Sequence, residues 1–295
     1  GWPEWAQIRF DPSGTVMLIM GTHNHGQGHE TVFRQMLSDR LGLDFEQIEY
    51  QQGDTDTGMA GTGTFGSRAS GVGGASLMMA ADKVIEKGRK MAAHHLETSE
   101  GDIEFADGVY SVAGTDRSVS LIECAKLLQN FMTAPSSMEV GLNEWGSWRP
   151  PAATFPNGCH VAEVEIEPET GELEIVRYAA VDDVGTVLNP LLLDGQLHGG
   201  IVQGVGQVLF EDVQWDPESG QLITGSFMDY VMPRADNVPN FDSAVNEEAP
   251  TSTNPLGIKG AGEAGCVGAL PALMNAIVDA LRPAGVGTLD MPATP

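Results

Sequence analysis

The chain opens with apolar and polar residues in alternation and then changes period. Residues 7–10 and 15–20 alternate in strand fashion around Asp11-Pro12-Ser13-Gly14. Pro and Gly sit where a tight turn needs them, so the first element predicted is a β-hairpin. After a Gly/His-rich loop at 21–29 the period lengthens to that of a helix over 30–41, with Val32, Phe33, Met36 and Leu37 on one face. A short strand at 48–51 leads into a Gly/Thr-rich stretch at 53–74. A long helix is predicted over 75–96, where Met78, Met79, Val84, Ile85 and Met91 form the apolar side and Lys87, Arg89 and Lys90 the wet one. The methionines read as core filler. A second hairpin at 103–112 and a short helix at 120–128 follow. The stretch 133–158, rich in Pro, Ser, Gly and Trp, reads as a surface linker.

The second half begins as the first did. A strand at 161–167, a turn at Pro168-Glu169-Thr170-Gly171 and a return strand at 172–181 form a hairpin. A loop at 182–195 and a helix at 196–209 follow, and a further apolar helix is predicted over 267–281. In each half a hairpin is followed by a Gly-Gln-x-His tetrad entering a helix: Gly26-Gln27-Gly28-His29 and Gly195-Gln196-Leu197-His198. The pairing predicts two related α+β subdomains of β-hairpins and mixed sheet packed with helices, over 1–145 and 146–295, facing a shared crevice.

Composition narrows the function. The chain has 295 residues, with 41% hydrophobic and 19% charged, as expected of a folded globular protein. A net charge of -26 repels phosphate backbones and argues against nucleic acid as a partner. Cys124, Cys159 and Cys266 lie far apart without CxxC spacing, which argues against a zinc site or disulfide framework and for a reducing, cytoplasmic setting. No apolar run reaches the roughly 20 residues of a membrane helix, so no membrane span is expected. With Gly in place of Met at position 1, the chain reads as a piece of a longer polypeptide.

Three segments could carry chemistry. A glycine before a helix start leaves backbone N–H groups uncovered for an electron-rich ligand, and a Gln there both donates and accepts, or simply faces solvent beside a plain cap. Gly61-Thr62-Gly63-Thr64-Phe65-Gly66-Ser67-Arg68, in the glycine stretch 58–74, combines adaptable backbone, hydroxyls and a guanidinium, the parts of an oxyanion cradle or of an ordinary loop. It has neither P-loop nor Rossmann order. In Lys259-Gly260-Ala261-Gly262-Glu263, the carboxylate precedes an apolar helix. It is either a helix-start Glu or a base held where glycines admit a bulky ligand. The spacing of His23, His25 and His29 fits no zinc motif.

Taken together, Gly26-Gln27-Gly28-His29-Glu30-Thr31, Gly53-Asp54-Thr55-Asp56-Thr57, Gly63-Thr64-Phe65-Gly66-Ser67-Arg68, Asp194-Gly195-Gln196-Leu197-His198-Gly199-Gly200 and Lys259-Gly260-Ala261-Gly262-Glu263 resemble the molybdenum hydroxylases. That family includes xanthine dehydrogenase, aldehyde oxidase and, in the branch most similar here, the aerobic carbon monoxide dehydrogenase large subunit. The resemblance implies the carboxy-terminal, molybdopterin-binding part of an oxidoreductase large subunit. Such an enzyme hydroxylates a small carbon substrate (aldehyde, N-heterocycle or carbon monoxide) with water as oxygen source. It implies Glu263 as the general base, and Gln27, Gly28, His29, Gly66, Ser67, Arg68, Gly185, Thr186, Asn189, Gln196, Lys259 and Gly260 as cofactor-binding residues, with no side chain ligating the metal. The implied cofactor is molybdopterin cytosine dinucleotide carrying molybdenum. The amino-terminal half of the large subunit is an implied partner, as are chains bearing iron–sulfur clusters and FAD. Alone, the present chain is expected to be inactive. The alternative is a non-catalytic scaffold or cofactor-insertion module of the same fold.

Overall fold

A computed structural model describes residues 1–58 and 61–294. The chain divides into two compact units, one of residues 1–153 with 251–257 and one of 154–250 with 258–295.

In the first unit the predicted hairpin is β1 (Glu4–Phe10) and β2 (Val16–Met20), paired antiparallel. Its turn closes with Gly14 N–H on Asp11 O (3.0 Å), Gly14 taking the positive φ that only glycine adopts without strain. Helix α1 (His29–Leu41) then crosses to β3 (Ile48–Gln52), which lies parallel to β2. A five-residue π-helical turn at Ala69–Gly73 opens α2 (Gly74–His95). A small sheet of β4 (Ile103–Ala106), β5 (Val109–Val112) and β6 (Ser118–Ser120) and helix α3 (Leu121–Gln129) follow. Strand β7 (Glu144–Trp148) pairs with β1, completing the sheet order β3-β2-β1-β7. Ile8, Leu18, Phe33, Leu37 and Leu77 are fully buried in this unit.

Strand β7 corrects the linker reading of 133–158. Its sequence, Glu144-Trp145-Gly146-Ser147-Trp148, looks like loop because a glycine interrupts it. That glycine is where α2 presses on the strand: a Cβ at Gly146 would lie 2.7 Å from Ala80 N. Through β7 the first unit runs past position 145.

The second unit repeats the topology. Strands β8 (Asn157–Ile166) and β9 (Leu173–Asp183) form an antiparallel hairpin, and helix α4 (Pro190–Leu209) crosses to β10 (Phe241–Val245), parallel to β9. Helix α5 (Ala264–Leu281) ends the fold. Each unit is thus hairpin, helix, parallel strand, helix. The repeat lies in topology, however, and not in the tetrads. The second tetrad sits inside α4, which starts at Pro190 with Asn189 as N-cap, its side chain accepting from Leu192 N–H at 3.1 Å. Asn followed by Pro at the first helical position is a start signal that the loop reading of 182–195 passed over.

Helices α4 and α5 cross on glycine. A Cβ at Gly200 would stand 3.1 Å from Cys266 N, and one at Gly265 would overlap the Leu197 carbonyl. Tyr178, Ile201, Val205, Leu273 and Ile277 fill the core beneath. The stretch Ala264–Ala284, 21 residues with mean hydropathy 1.6, is long and apolar enough to cross a membrane by length and composition, against the expectation of no such run. In this chain it packs one face, through Ala269, Leu273 and Ile277, into the unit's core, and 28% of the stretch is buried.

Candidate functional site

In the first unit the loop before α1 is tied to the glycine-rich loop. The Thr64 hydroxyl accepts from His23 N–H (2.9 Å) and donates to the His23 carbonyl (2.7 Å), and Gly61 lies against Gly21 so closely that a Cβ would overlap its backbone. Gly21 and His23, at the start of the loop that carries Gln27, Gly28 and His29, are thereby fixed beside Gly61 and Thr64. Met59 and Ala60, within the 58–74 stretch, lie outside the described residues.

Helix α1 starts without a side-chain cap, because its N-cap is Gly28 in the left-handed conformation (φ 80). Its first N–H groups therefore have no side-chain acceptor from the N-cap. Gln27 turns its carbonyl oxygen back to His25 N–H, keeping the amide NH2 as a donor. His29 is 6% exposed, and its Nδ1 is buried with no hydrogen-bond partner among the described residues. Burial, followed by the charges of His25 and His23, lowers its pKa to about 4, so the ring is neutral at neutral pH. A neutral imidazole offers one donor and one acceptor nitrogen, and a buried unpaired polar atom is costly until a ligand meets it.

Arg68 is engaged within its own unit. Its guanidinium pairs with Glu4 (3.0 Å) and donates to the carbonyls of Gly63 (2.8 Å), Trp2 (3.0 Å) and Pro3 (2.9 Å). Glu4, with a side chain 0% exposed, also receives the N–H groups of Thr62 (3.2 Å) and Gly63 (3.1 Å). Breaking such a buried pair costs on the order of 3–5 kcal/mol. The pair anchors the loop, and what that loop can offer a ligand is the backbone of Gly66 and Ser67, both at positive φ (57 and 52). Glu4 went unnoticed in the sequence because nothing near position 4 marks a partner 64 residues away.

In the second unit the end of β9 and Gly185 meet the segment 258–259. Gly185 bridges to Ile258, Lys259 N–H donates to Val184 O (2.8 Å), and Lys259 Nζ lies 2.6 Å from Asp183 Oδ2. The Lys259 hydrogen bond holds the Asp183 carboxyl below the usual range. Thr186 follows Gly185 directly, and Asn189 caps the helix that carries Gln196, next to the Leu197 carbonyl under Gly265. Glu263 occupies the N-cap position of α5, is exposed, and does not cap the helix with its side chain. Nearby Cys266 has its thiol pushed up by burial and then by the charges of Glu263 and Glu211, which keeps it protonated and unreactive.

A family model described as molybdopterin cofactor-binding domain matches residues 2–239. The chain is 36% identical over 294 residues to the carbon monoxide dehydrogenase large chain of Hydrogenophaga pseudoflava, covering 100% of itself and 36% of that protein. It is 38% identical over 294 residues to the nicotine 6-hydroxylase large subunit of Paenarthrobacter nicotinovorans, covering 99% of itself and 36% of the relative. Among solved structures, a Cu,Mo-CO dehydrogenase in its carbon monoxide-reduced state superposes with TM-score 0.90 at 34% identity, over 99% of this chain and 36% of that one. The chain thus spans about a third of the length of these relatives.

Proposed function

The chain belongs to the molybdopterin cofactor-binding domain family, and on that premise we propose that it is the part of a molybdenum hydroxylase large subunit that carries the general base, Glu263. The reaction proposed is hydroxylation of a small carbon substrate, an aldehyde, an N-heterocycle or carbon monoxide, with water as oxygen source. The observation that carries this reading is the setting of Glu263. It is an exposed carboxylate at a helix start, in a glycine-rich segment fastened to the end of β9 by Lys259. A base there is held in place and can still meet a substrate.

The residues present fit a pterin. An unpaired buried imidazole nitrogen at His29, an uncapped helix start at Gly28 and the Gln27 amide offer the mixed donors and acceptors that pterin edges and phosphate groups require. Gln196, the backbone of Gly66-Ser67 and of Gly185-Thr186, and Gly260 are proposed as further contacts, while Lys259, Asn189 and Arg68 act through the loops and helix they fasten. When bound, the cofactor supplies the electrophilic and redox chemistry, and the protein supplies position and proton transfer. We take the bound form to be the cytosine dinucleotide. The amino-terminal remainder of the large subunit and chains bearing iron–sulfur clusters and FAD are proposed partners. The present chain alone is expected to be catalytically silent.

The test compares molybdenum content, cytosine nucleotide content and turnover of the full-length complex, wild type against Glu263→Gln. Equal cofactor with turnover reduced by about 10²–10⁴-fold supports the base. A complex that never carries molybdenum overturns the catalytic reading and leaves a scaffold.

A further inference from the structure

Strand β9 ends in two adjacent aspartates whose side chains leave on opposite faces, as the strand's period of two requires. Asp182 points into the unit. It is 3% exposed, and its carboxylate oxygens lie 3.1 and 3.2 Å from His160 Nε2. A carboxylate accepts, so Nε2 carries the proton and Nδ1 accepts from the Tyr178 hydroxyl at 2.7 Å. Burial raises the Tyr178 phenol, which stays a donor, so the buried chain Tyr178–His160–Asp182 is internally satisfied. The His160 ring lies flat against α5: a Cβ at Gly268 would stand 2.5 Å from its Nδ1.

Asp183 faces the other way. Its Oδ1 accepts from Gly185 N–H (2.9 Å) and its Oδ2 from Lys259 Nζ (2.6 Å), in a pair whose side chains are 14% and 11% exposed. The Thr154 hydroxyl adds a bond to the Lys259 carbonyl (3.1 Å). Glu263 lies between these two anchors, four residues after Lys259 and five before Gly268.

We propose that Asp182 and Asp183 are positioning residues for Glu263: from neighbouring places on one strand they fix both flanks of the segment that carries the base, Asp183 through Lys259 and Asp182 through His160 against α5. The proposal rests on the reading of Glu263 as general base. Its physical content is that a hinged carboxylate, free to shift by about an ångström, loses on the order of a hundredfold in rate.

The experiment uses the full-length complex with Asp183→Asn, His160→Gln and Asp182→Asn. The control is Asp242→Asn, which removes an exposed pair with Arg177 on the same sheet. It measures kcat and KM separately, molybdenum content, and hydrogen exchange of the amides over 257–268. Expected for Asp183→Asn and His160→Gln are unchanged molybdenum, KM within about twofold, kcat down roughly ten- to a hundredfold, and faster exchange over 257–268. The control should match wild type in all four. Should Asp182→Asn not fold, the other two variants still decide. Wild-type kcat in those variants while Glu263→Gln is inactive overturns the clamp and spares the base. Full turnover in Glu263→Gln overturns the base reading instead. Loss of molybdenum together with kcat also overturns the proposal, because the aspartates would then be holding up the cofactor site as a whole.

Discussion

At the residue scale the structure turns side chains that looked alike in the sequence into different instruments. His23 and His25 are exposed and touch each other at 2.8 Å, whereas His29, four residues on, is buried and neutral. Its burial has a measurable consequence. His29 takes a proton near pH 4 in the folded chain but near 6.5 when unfolded. As pH falls below 6.5 the unfolded state binds the proton first, so stability drops through that window and levels off below about pH 4. The contribution is at most on the order of 3 kcal/mol. Urea unfolding at pH 7.5 and 4.5 should therefore show a smaller acid loss for His29→Leu than for wild type, and equal losses would mean that the imidazole is hydrated in the fold. Arg68 and Lys259 make the complementary point. Each is engaged by a carboxylate of its own unit, Arg68 by Glu4 and Lys259 by Asp183.

At the scale of elements, the crossing of α4 and α5 sets where Glu263 stands, because α5 begins one residue later. The crossing depends on Gly265, whose Cβ would overlap Leu197 O, whereas Gly199 on α4 faces open space. Two glycine-to-alanine changes should thus have opposite signs. Gly265→Ala should destabilise by about 1–3 kcal/mol through overpacking. Gly199→Ala should stabilise by roughly 0.5–1 kcal/mol through the entropy of the unfolded chain. Thermal melts of the two variants check this, and a neutral Gly265→Ala would show that the helices can slide. Pro271, inside α5, removes a donor to Val267 O, and both residues lie on the wet side where water can take its place.

For the whole molecule the dominant fact is a net charge of -26. Like charges on a compact body repel more than on an expanded one, so screening favours folding. Raising salt from about 0.01 to about 0.15 M shortens the screening length from roughly 30 to 8 Å and should raise the urea midpoint. A midpoint that falls would mean that favourable pairs such as Arg40–Asp82 outweigh the repulsion. The repeated hairpin–helix–strand–helix order also belongs to this scale, as does the match to family relatives about three times as long.

The pattern of the chain by itself determined the three hairpins and the helices α1, α2 and α3, because strand and helix periods and turn chemistry are local properties. It also marked the segments around Gln27, Gly66 and Glu263, since clustered glycine beside Gln, Arg and Glu is visible without a fold. Tertiary structure alone decided what those residues can do. Strand β7 forms because β1 offers an edge, with Gly146 letting α2 lie close against it, and β10 because β9 offers an edge. Asp183 meets a lysine 76 residues later, and Glu4 an arginine 64 residues later. Such pairings depend on where the chain returns in space, which composition and periodicity do not encode, and they are what separates a cation available to a ligand from one already engaged.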